Sequence, residues 1–381
     1  MRKRPGKYVT IEVAKESYKA YVPDPLPPKI ELGKVSGLLE KSVAALAELD
    51  SISGRIPNTS LFIHMYVRKE ALLSSQIEGT QSSFSDLILF EQNQKPSVSL
   101  HDVEEVSNYV KAINYGVKQL KNNFPLSLRL LRDIHSILLS GGRGSLKLPG
   151  EFRHSQNWIG GTRPGNALFV PPPVEYLNDC LSNLEYFLHD KTLPTLIRAA
   201  IAHVQFETIH PFLDGNGRLG RLLVSLMLVE SGLLKTPILY LSLYMKQNRE
   251  TYYNLLQEVR MHGTWETWIE FFLTGTIYSS NQAVKTAVSI NNLLEKDLDK
   301  IETTGRARFS CERVFEYIKK LPQVSVNLLT KELGISSPTA RKALNNMVNL
   351  GILEEISGKQ RNKVYVYRKY LNILEEDAEP F

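Results

Sequence analysis

Apolar side chains recurring at three- and four-residue steps run through most of this 381-residue chain, and that spacing commits it mainly to helices that each bury one face. Leu38, Leu39, Val43, Leu46 and Leu49 open the pattern after Ile30, and a second run covers about residues 59–76. Further amphipathic runs follow at about 100–121, 127–139, 174–189, 193–208, 218–231, 249–262 and 265–278, separated by short loops rich in Ser, Asn and Gly. Two stretches depart from this rule. The first thirty residues are punctuated by Pro23, Pro25, Pro27 and Pro28, which predicts an extended arm laid over the surface. Residues 150–173 (GEFRHSQNWIGGTRPGNALFVPPP) offer short β-prone pieces around a Gly-Gly and a Pro-Gly, which predicts an exposed hairpin.

Composition narrows the class. At 43% hydrophobic and 23% charged residues the chain is globular and long enough for two or three cores, which excludes collagen, coiled-coil and disordered readings. The longest apolar-rich stretch, from Leu222 to Glu230, is far short of the roughly 20 residues that span a bilayer, so no membrane partner is expected. The N-terminus is basic with no apolar run behind it, and Cys180 and Cys311 form neither a disulfide framework nor a metal knuckle. A cytoplasmic location is the expectation that fits.

The net charge of +6 is local. Residues 306–370 hold 13 Lys and Arg against five acids, or +8, so the rest of the chain is near −2. Within that basic tail an apolar helix ends at Leu333, Gly334 turns the chain, Ser336 or Ser337 caps a second helix and Pro338 sits in its first turn. Strand-like residues 351–355 and 363–368 flank a basic loop, so the unit resembles a winged helix-turn-helix. Thr339, Arg341 and Lys342 on the second helix, with Lys359, Arg361 and Lys363 on the wing, make residues 326–368 a candidate DNA footprint. Protein interaction or dimerisation is the competing use of such a module, and a homodimer would strengthen DNA binding.

The chemistry is concentrated in His210-Pro211-Phe212-Leu213-Asp214-Gly215-Asn216-Gly217-Arg218-Leu219-Gly220-Arg221, between two helical runs. Gly215, Asn216 and Gly217 can adopt positive φ, curling their N–H groups into an anion nest at the positive end of the following helix. Arg218 and Arg221 share a face of that helix and add forked donors for a polyphosphate. Asp214 beside phosphate implies a bridging Mg²⁺. His210 stands where it could take a proton from an incoming hydroxyl.

This string resembles the HPFxDGNGRxGR signature of Fic-domain proteins at every fixed position. The resemblance implies a mainly α fold, a Fic-type helical core with a small β-hairpin flap, joined here to the C-terminal winged helix-turn-helix. It further implies transfer of AMP from ATP to a Ser, Thr or Tyr hydroxyl of a target protein, and of the chain itself. By that resemblance His210 is the general base, Asp214 the Mg²⁺ ligand, and Gly215, Asn216, Gly217, Arg218, Gly220 and Arg221 bind the nucleotide's phosphates. Phe212 anchors the loop, the flap holds the target segment, and Asn248 carries over as a nucleotide contact. Ser74-Ser75-Gln76-Ile77-Glu78-Gly79 matches the (S/T)xxxE(G/N) inhibitory motif of the family, with Ser74, Glu78 and Gly79 at its fixed positions. Glu78 is then expected to form a bidentate ion pair with Arg221 and to occupy the γ-phosphate site.

The resulting division is an arm at 1–30, a helical region with the inhibitory helix at 31–122, a Fic core at 123–280, a linker helix at 281–305 and the winged helix-turn-helix at 306–372. Two other readings stand beside AMP transfer: a DNA-binding regulator whose nucleotide site senses ATP, and a hydrolase that removes AMP. His203, in the middle of an apolar run, reads as a packed core histidine.

Overall fold

A computed structural model of the chain describes residues 5–13, 16–55, 59–91, 95–142, 144–358 and 363–380. The chain begins with strands β1 (Gly6–Val13) and β2 (Glu16–Pro23), then helices α1 (Ser36–Arg55), α2 (Thr59–Ile77), α3 (Phe84–Glu91), α4 (Leu100–Lys121) and α5 (Leu128–Leu138). After the flap segment come α6 (Val174–Leu188), α7 (Thr195–Ile209), α8 (Asn216–Glu230), α9 (Ser242–Gln247), α10 (Arg249–His262) and α11 (Trp265–Glu302). The C-terminal part is α12 (Arg308–Lys320), β3 (Gln323–Ser325), α13 (Val326–Leu333), α14 (Ser337–Asn349), β4 (Glu354–Glu355), β5 (Val364–Val366) and α15 (Arg368–Glu375).

At the centre lies α7, buried from Leu196 to Ile209 on every face, with the polar side chains of Arg198, His203, Gln205 and Glu207 enclosed along with the apolar ones. It packs against α8, with α6, α10 and α11 around it, and Trp268 of α11 donates its indole N–H to Ala200 O at 2.8 Å. On the other side, α2 packs against α4 and α9. Tyr66 of α2 donates to Ala283 O at 2.6 Å, which ties that helix to α11 as well.

Three expectations change. The first thirty residues are not a single extended arm: β1 and β2 pair antiparallel from Gly6↔Pro23 to Val13↔Glu16. The prolines at 25, 27 and 28 follow this hairpin and leave its N–H donors free to pair. The flap at 150–173 holds only the antiparallel bridge Ile159↔Phe169 around a 3₁₀ turn at Pro164–Asn166, because Gly160 and Gly161 at φ 68° and 70° bend the backbone out of strand geometry. Finally, α11 is one helix of 38 residues that crosses the expected boundary at 280, with buried residues from Trp265 to Ile301.

In the tail, Ser325 and Ser336 cap α13 and α14 by accepting from Leu328 N–H at 3.3 Å and Thr339 N–H at 3.3 Å. Gly334 ends α13 at φ 62°, and the strands order as β3-β5-β4. Lys359 and Arg361 of the expected wing lie outside the described residues. Tyr367 donates to the buried Asp297 of α11 at 2.6 Å, so the tail is seated on the long helix. Among the described residues, no helix is long and apolar enough to cross a membrane.

Candidate active site

The loop between α7 and α8 is built by two left-handed residues and one asparagine. His210 closes α7 at φ 48°, ψ 61°, its N–H donating to Phe206 O at 2.9 Å. Gly215 at φ 74° is the second such residue, and α8 starts at once behind it. Asn216 ties the loop shut: its Oδ1 accepts from Phe212 N–H and its Nδ2 donates to Phe212 O, both at 2.9 Å. Phe212 is fully buried, and its ring stacks on His135 with centroids 3.7 Å apart.

The expected nest is therefore smaller than three residues. Only Gly215 has positive φ, while Asn216 and Gly217 are already helical, and the Asn216 side chain is committed to Phe212 instead of a ligand. What remains is a bare helix end. The first internal bond of α8 is Leu219 N–H to Gly215 O at 3.0 Å, and no side chain caps Gly215. The N–H groups of Asn216, Gly217 and Arg218 have no acceptor among the described residues, which leaves an anion site at the positive end of the helix dipole.

A cleft of about 360 Å³ opens there, lined by Glu78, Glu105, His210, Leu213, Asp214, Gly215, Asn216, Gly217 and Arg218. Burial, with the nearby Arg260 guanidinium, holds the His210 imidazole down to about 4, so it is neutral at pH 7. Asp214 Oδ1 accepts from Gly215 N–H at 2.6 Å. Among the described residues no group of three or more His, Cys, Asp or Glu is placed to hold a metal. One carboxylate beside amides that donate to phosphate nevertheless suits a Mg²⁺ held jointly by Asp214 and a substrate's phosphate oxygens, so Asp214 fits that ion.

Both arginines meet protein carboxylates. Arg218 Nη1 lies 3.1 Å from Glu105 Oε2 of α4, with both side chains at most 5% exposed. Arg221 is buried behind Glu78: Nε donates to Ser74 Oγ at 2.8 Å, Nη2 to Ser74 O at 2.9 Å and to Glu78 Oε1 at 2.7 Å. The Glu78 contact runs through one oxygen and is not bidentate, because Ser74 takes the remaining fork of the guanidinium. Burial alone would raise the Glu78 carboxyl, but Arg221 and its hydrogen bond hold it below the ordinary range. Gly217 lets the carboxylate approach, since a Cβ there would lie 2.2 Å from Glu78 Oε1. Gly79 ends α2 just beyond, at φ 98°.

Two other expected contacts lie elsewhere. Gly220 faces the buried Glu207 away from the cleft, with room for no Cβ, which would sit 2.7 Å from Glu207 Oε1. Asn248 joins α9 to α10 and donates to Tyr244 O at 3.0 Å, outside the cleft lining. His203 is the packed residue expected, its Nε2 2.9 Å from Tyr252 Oη and its ring stacked on Trp268.

Sequence reasoning passed over the residues that brace the loop. Arg153 donates from Nε to His210 O at 3.1 Å, its own N–H donates to Pro211 O, and Asn157 Nδ2 reaches His210 O and Phe212 O at 3.1 and 2.9 Å. His135 accepts from Gly150 N–H on Nδ1 at 2.8 Å, so its Nε2–H donates to Asp214 O at 3.0 Å. The available signal was an arginine and two amide side chains, Gln156 and Asn157, in a segment otherwise β-prone, whose one acid, Glu151, pairs with Arg132 instead.

Family models match in the same order as these parts: "Fic/DOC family N-terminal" over residues 37–118, "Fic/DOC family" over 125–228 and "DeoR-like helix-turn-helix domain" over 311–360. Residues 37–118 and 125–228 thus carry the two domains of a Fic protein, followed by a helix-turn-helix domain. The Fic match ends inside α8, so it contains the whole loop, and the helix-turn-helix match covers α13 and α14. A Drosophila virilis relative named protein adenylyltransferase Fic is 28% identical over 221 residues, 57% of this chain and 41% of that protein. A probable protein adenylyltransferase of Aquifex aeolicus is 39% identical over 93 residues, 24% of this chain and 27% of its own. The chain thus spans well under half the length of these relatives. A crystal structure of a Fic family protein from Desulfovibrio desulfuricans shares the fold at TM-score 0.59 and 20% identity, covering 90% of this chain and 98% of that one.

Proposed function

We propose that this Fic protein transfers AMP from ATP to a hydroxyl of a protein and is held off by its own Glu78. The observation that carries this reading is the convergence, in one cleft, of neutral His210, Asp214 and the open N-terminus of α8, with Glu78 seated across it. The amides of Asn216 to Arg218 would take phosphate oxygens, and Arg221, once released from Glu78, would add charge to the same end. Mg²⁺ held by Asp214 would neutralise phosphate charge. His210 would draw the proton from the attacking hydroxyl, which a neutral imidazole can do and an imidazolium cannot. The relatives named adenylyltransferases support the same chemistry.

Glu78 opposes that geometry on two counts. It neutralises Arg221, and it places a carboxylate on the helix end where phosphate would sit, so anion competes with anion. Wild type and Glu78→Gly, each incubated with α-labelled ATP and Mg²⁺, test this: label on the protein or on lysate proteins is expected to rise strongly in Glu78→Gly. In that background His210→Ala should cost roughly 10²- to 10⁴-fold while ATP binding persists. No label in either chain, or label unchanged by His210→Ala, would overturn the reading and favour ATP sensing or removal of AMP.

A second partner is supported by α14. Arg341 and Lys342 are exposed on it, and neither has an ion-pair partner among the described residues, which suits a duplex backbone. Gel shifts with random duplex DNA at two salt concentrations, compared between wild type and Arg341→Ala/Lys342→Ala, check this, with binding expected to fall in the variant.

A further inference from the structure

One turn before His210, at the end of α7, the side chain of Glu207 is only 8% exposed. Its Oε2 lies 3.8 Å from His210 Nδ1. Neither His210 Nδ1 nor Glu207 Oε1 has a hydrogen-bond partner among the described residues; Oε2 is the carboxyl oxygen that faces the ring, just beyond bonding distance. Such pairs are rare unless they have work to do. Space for the carboxyl is made by α8, where Gly220 leaves out the one methyl that would strike Oε1. The main chain of Glu207 is held separately, its carbonyl accepting from Arg260 Nη2 at 3.1 Å.

We propose that Glu207 is the positioning residue for His210: its carboxyl turns the Nδ1 edge of the imidazole inward, leaves Nε2 to the cleft, and balances the charge the ring gains. The assignment rests on the adenylyl-transfer reading. In that reaction the acceptor oxygen bonds to the α-phosphorus, the bond from phosphorus to the bridging oxygen breaks with its electron pair leaving on pyrophosphate, and the hydroxyl proton passes to Nε2. The ring then carries Nδ1–H against Glu207, the arrangement by which a carboxylate orients a catalytic histidine. Other charges around the pair are Arg260 of α10, Arg153 of the flap segment and Glu78 of α2 facing His210, and Arg221 of α8, Arg260 and Glu78 facing Glu207. Burial pushes the Glu207 carboxyl up to about 7, with Arg221 drawing it back and Glu78 adding to the rise, while His210 is held near 4. The two are driven apart in the manner of acid and base partners. The ring therefore becomes a stronger base as Glu207 ionises.

Glu207→Gln, of nearly the same shape, tests the pairing in the full chain by two readouts. The first is the pH titration of the His210 ring resonance, assigned by its loss in His210→Ala, which needs no turnover. With Glu207 present the resonance should show a second inflection near pH 7, where the carboxyl ionises, and in Glu207→Gln that inflection should vanish. The second is AMP transfer in the Glu78→Gly background, where Glu207→Gln should lower kcat about 10- to 1,000-fold, change KM for ATP less than about threefold, and abolish the matching limb of the pH profile. Should Glu207→Gln fold poorly, Gly220→Ala displaces the carboxyl without removing it and should give a smaller loss of kcat in the same direction. An identical ring titration in wild type and Glu207→Gln overturns the proposal and leaves only the Glu207 main-chain carbonyl near Nδ1. Absence of transfer in Glu78→Gly would instead count against the adenylyl-transfer reading, with the ring titration still deciding the pairing.

Discussion

Single residues carry the charge balance of this core, and four of them are histidines that burial keeps neutral. His64, His135, His203 and His210 are each held down to about 4, with burial the largest cause. An unfolded histidine takes its proton near pH ~6.5, so acidification from there toward 4 charges the unfolded chain first and draws the equilibrium to it. The stability these groups contribute is complete above about 6.5 and lost as pH falls through 4. Glu70 and Glu207, both raised to about 7 by burial, act in the opposite sense: their contribution is present below the ordinary carboxylate range and is lost as pH rises through 7. Melting curves from pH 7.5 to 4.5 should show wild type losing its advantage over His203→Gln by up to about 3 kcal/mol across that window. The residue scale is also where the sequence was most and least readable. Glu78 and Arg221 could be paired in advance because each sits in a short motif with fixed neighbours. Glu105, which neutralises Arg218 from 113 residues away, could not, since nothing in the spacing of α4 distinguishes that acid from a solvated one.

Whole elements were legible where a period of three to four residues ran without interruption. The run foreseen at 249–262 is α10 and that at 100–121 is α4, because their apolar stripes begin and end with the helix. The flap had no such period, and its shape is imposed from outside. Strand β2 reaches it: Tyr21 N–H donates to Val170 O at 2.9 Å, the Tyr21 ring lies 6.0 Å from Phe169, and Glu16 Oε1 accepts from Gly165 N–H at 3.0 Å. A segment with one internal bridge is thus braced by the N-terminal hairpin, a relation between residues about 150 positions apart that local pattern cannot reveal. Tyr21→Ala should loosen the flap without unfolding α7. Hydrogen exchange at Ile159, Leu168 and Phe169 is expected to quicken by roughly tenfold, the equivalent of about 1.4 kcal/mol of local opening, while amides of α7 remain protected.

Across the whole molecule, the basic tail announced itself by charge, but its docking did not, because it is made largely through main-chain carbonyls. The segment after α15 lies on α2, the helix that carries Ser74 and Glu78. Lys69 Nζ donates to Glu376 O at 2.9 Å, Gln76 Nε2 to Ala378 O at 2.9 Å, and Lys246 Nζ to Glu379 O. Gln76 sits between Ser74 and Glu78, and Lys69 is buried enough for its ammonium to be pushed down to about 8. Truncation after Glu375 should therefore strand these donors at about 1–3 kcal/mol each. It is expected to lower the melting temperature by several degrees and to raise AMP labelling severalfold, though less than Glu78→Gly, as side-by-side melts and labelling gels would show. The long helix α11 gives the tail a further meaning. At 38 residues it is about 57 Å from end to end, buried along one side from Trp265 to Ile301, and no proline or internal turn divides it. It works as a ruler. On the proposed reading, a partner held by α14 would lie at a set distance and bearing from His210, so acceptor hydroxyls would be selected by where they lie on a captured assembly as much as by the residues around them.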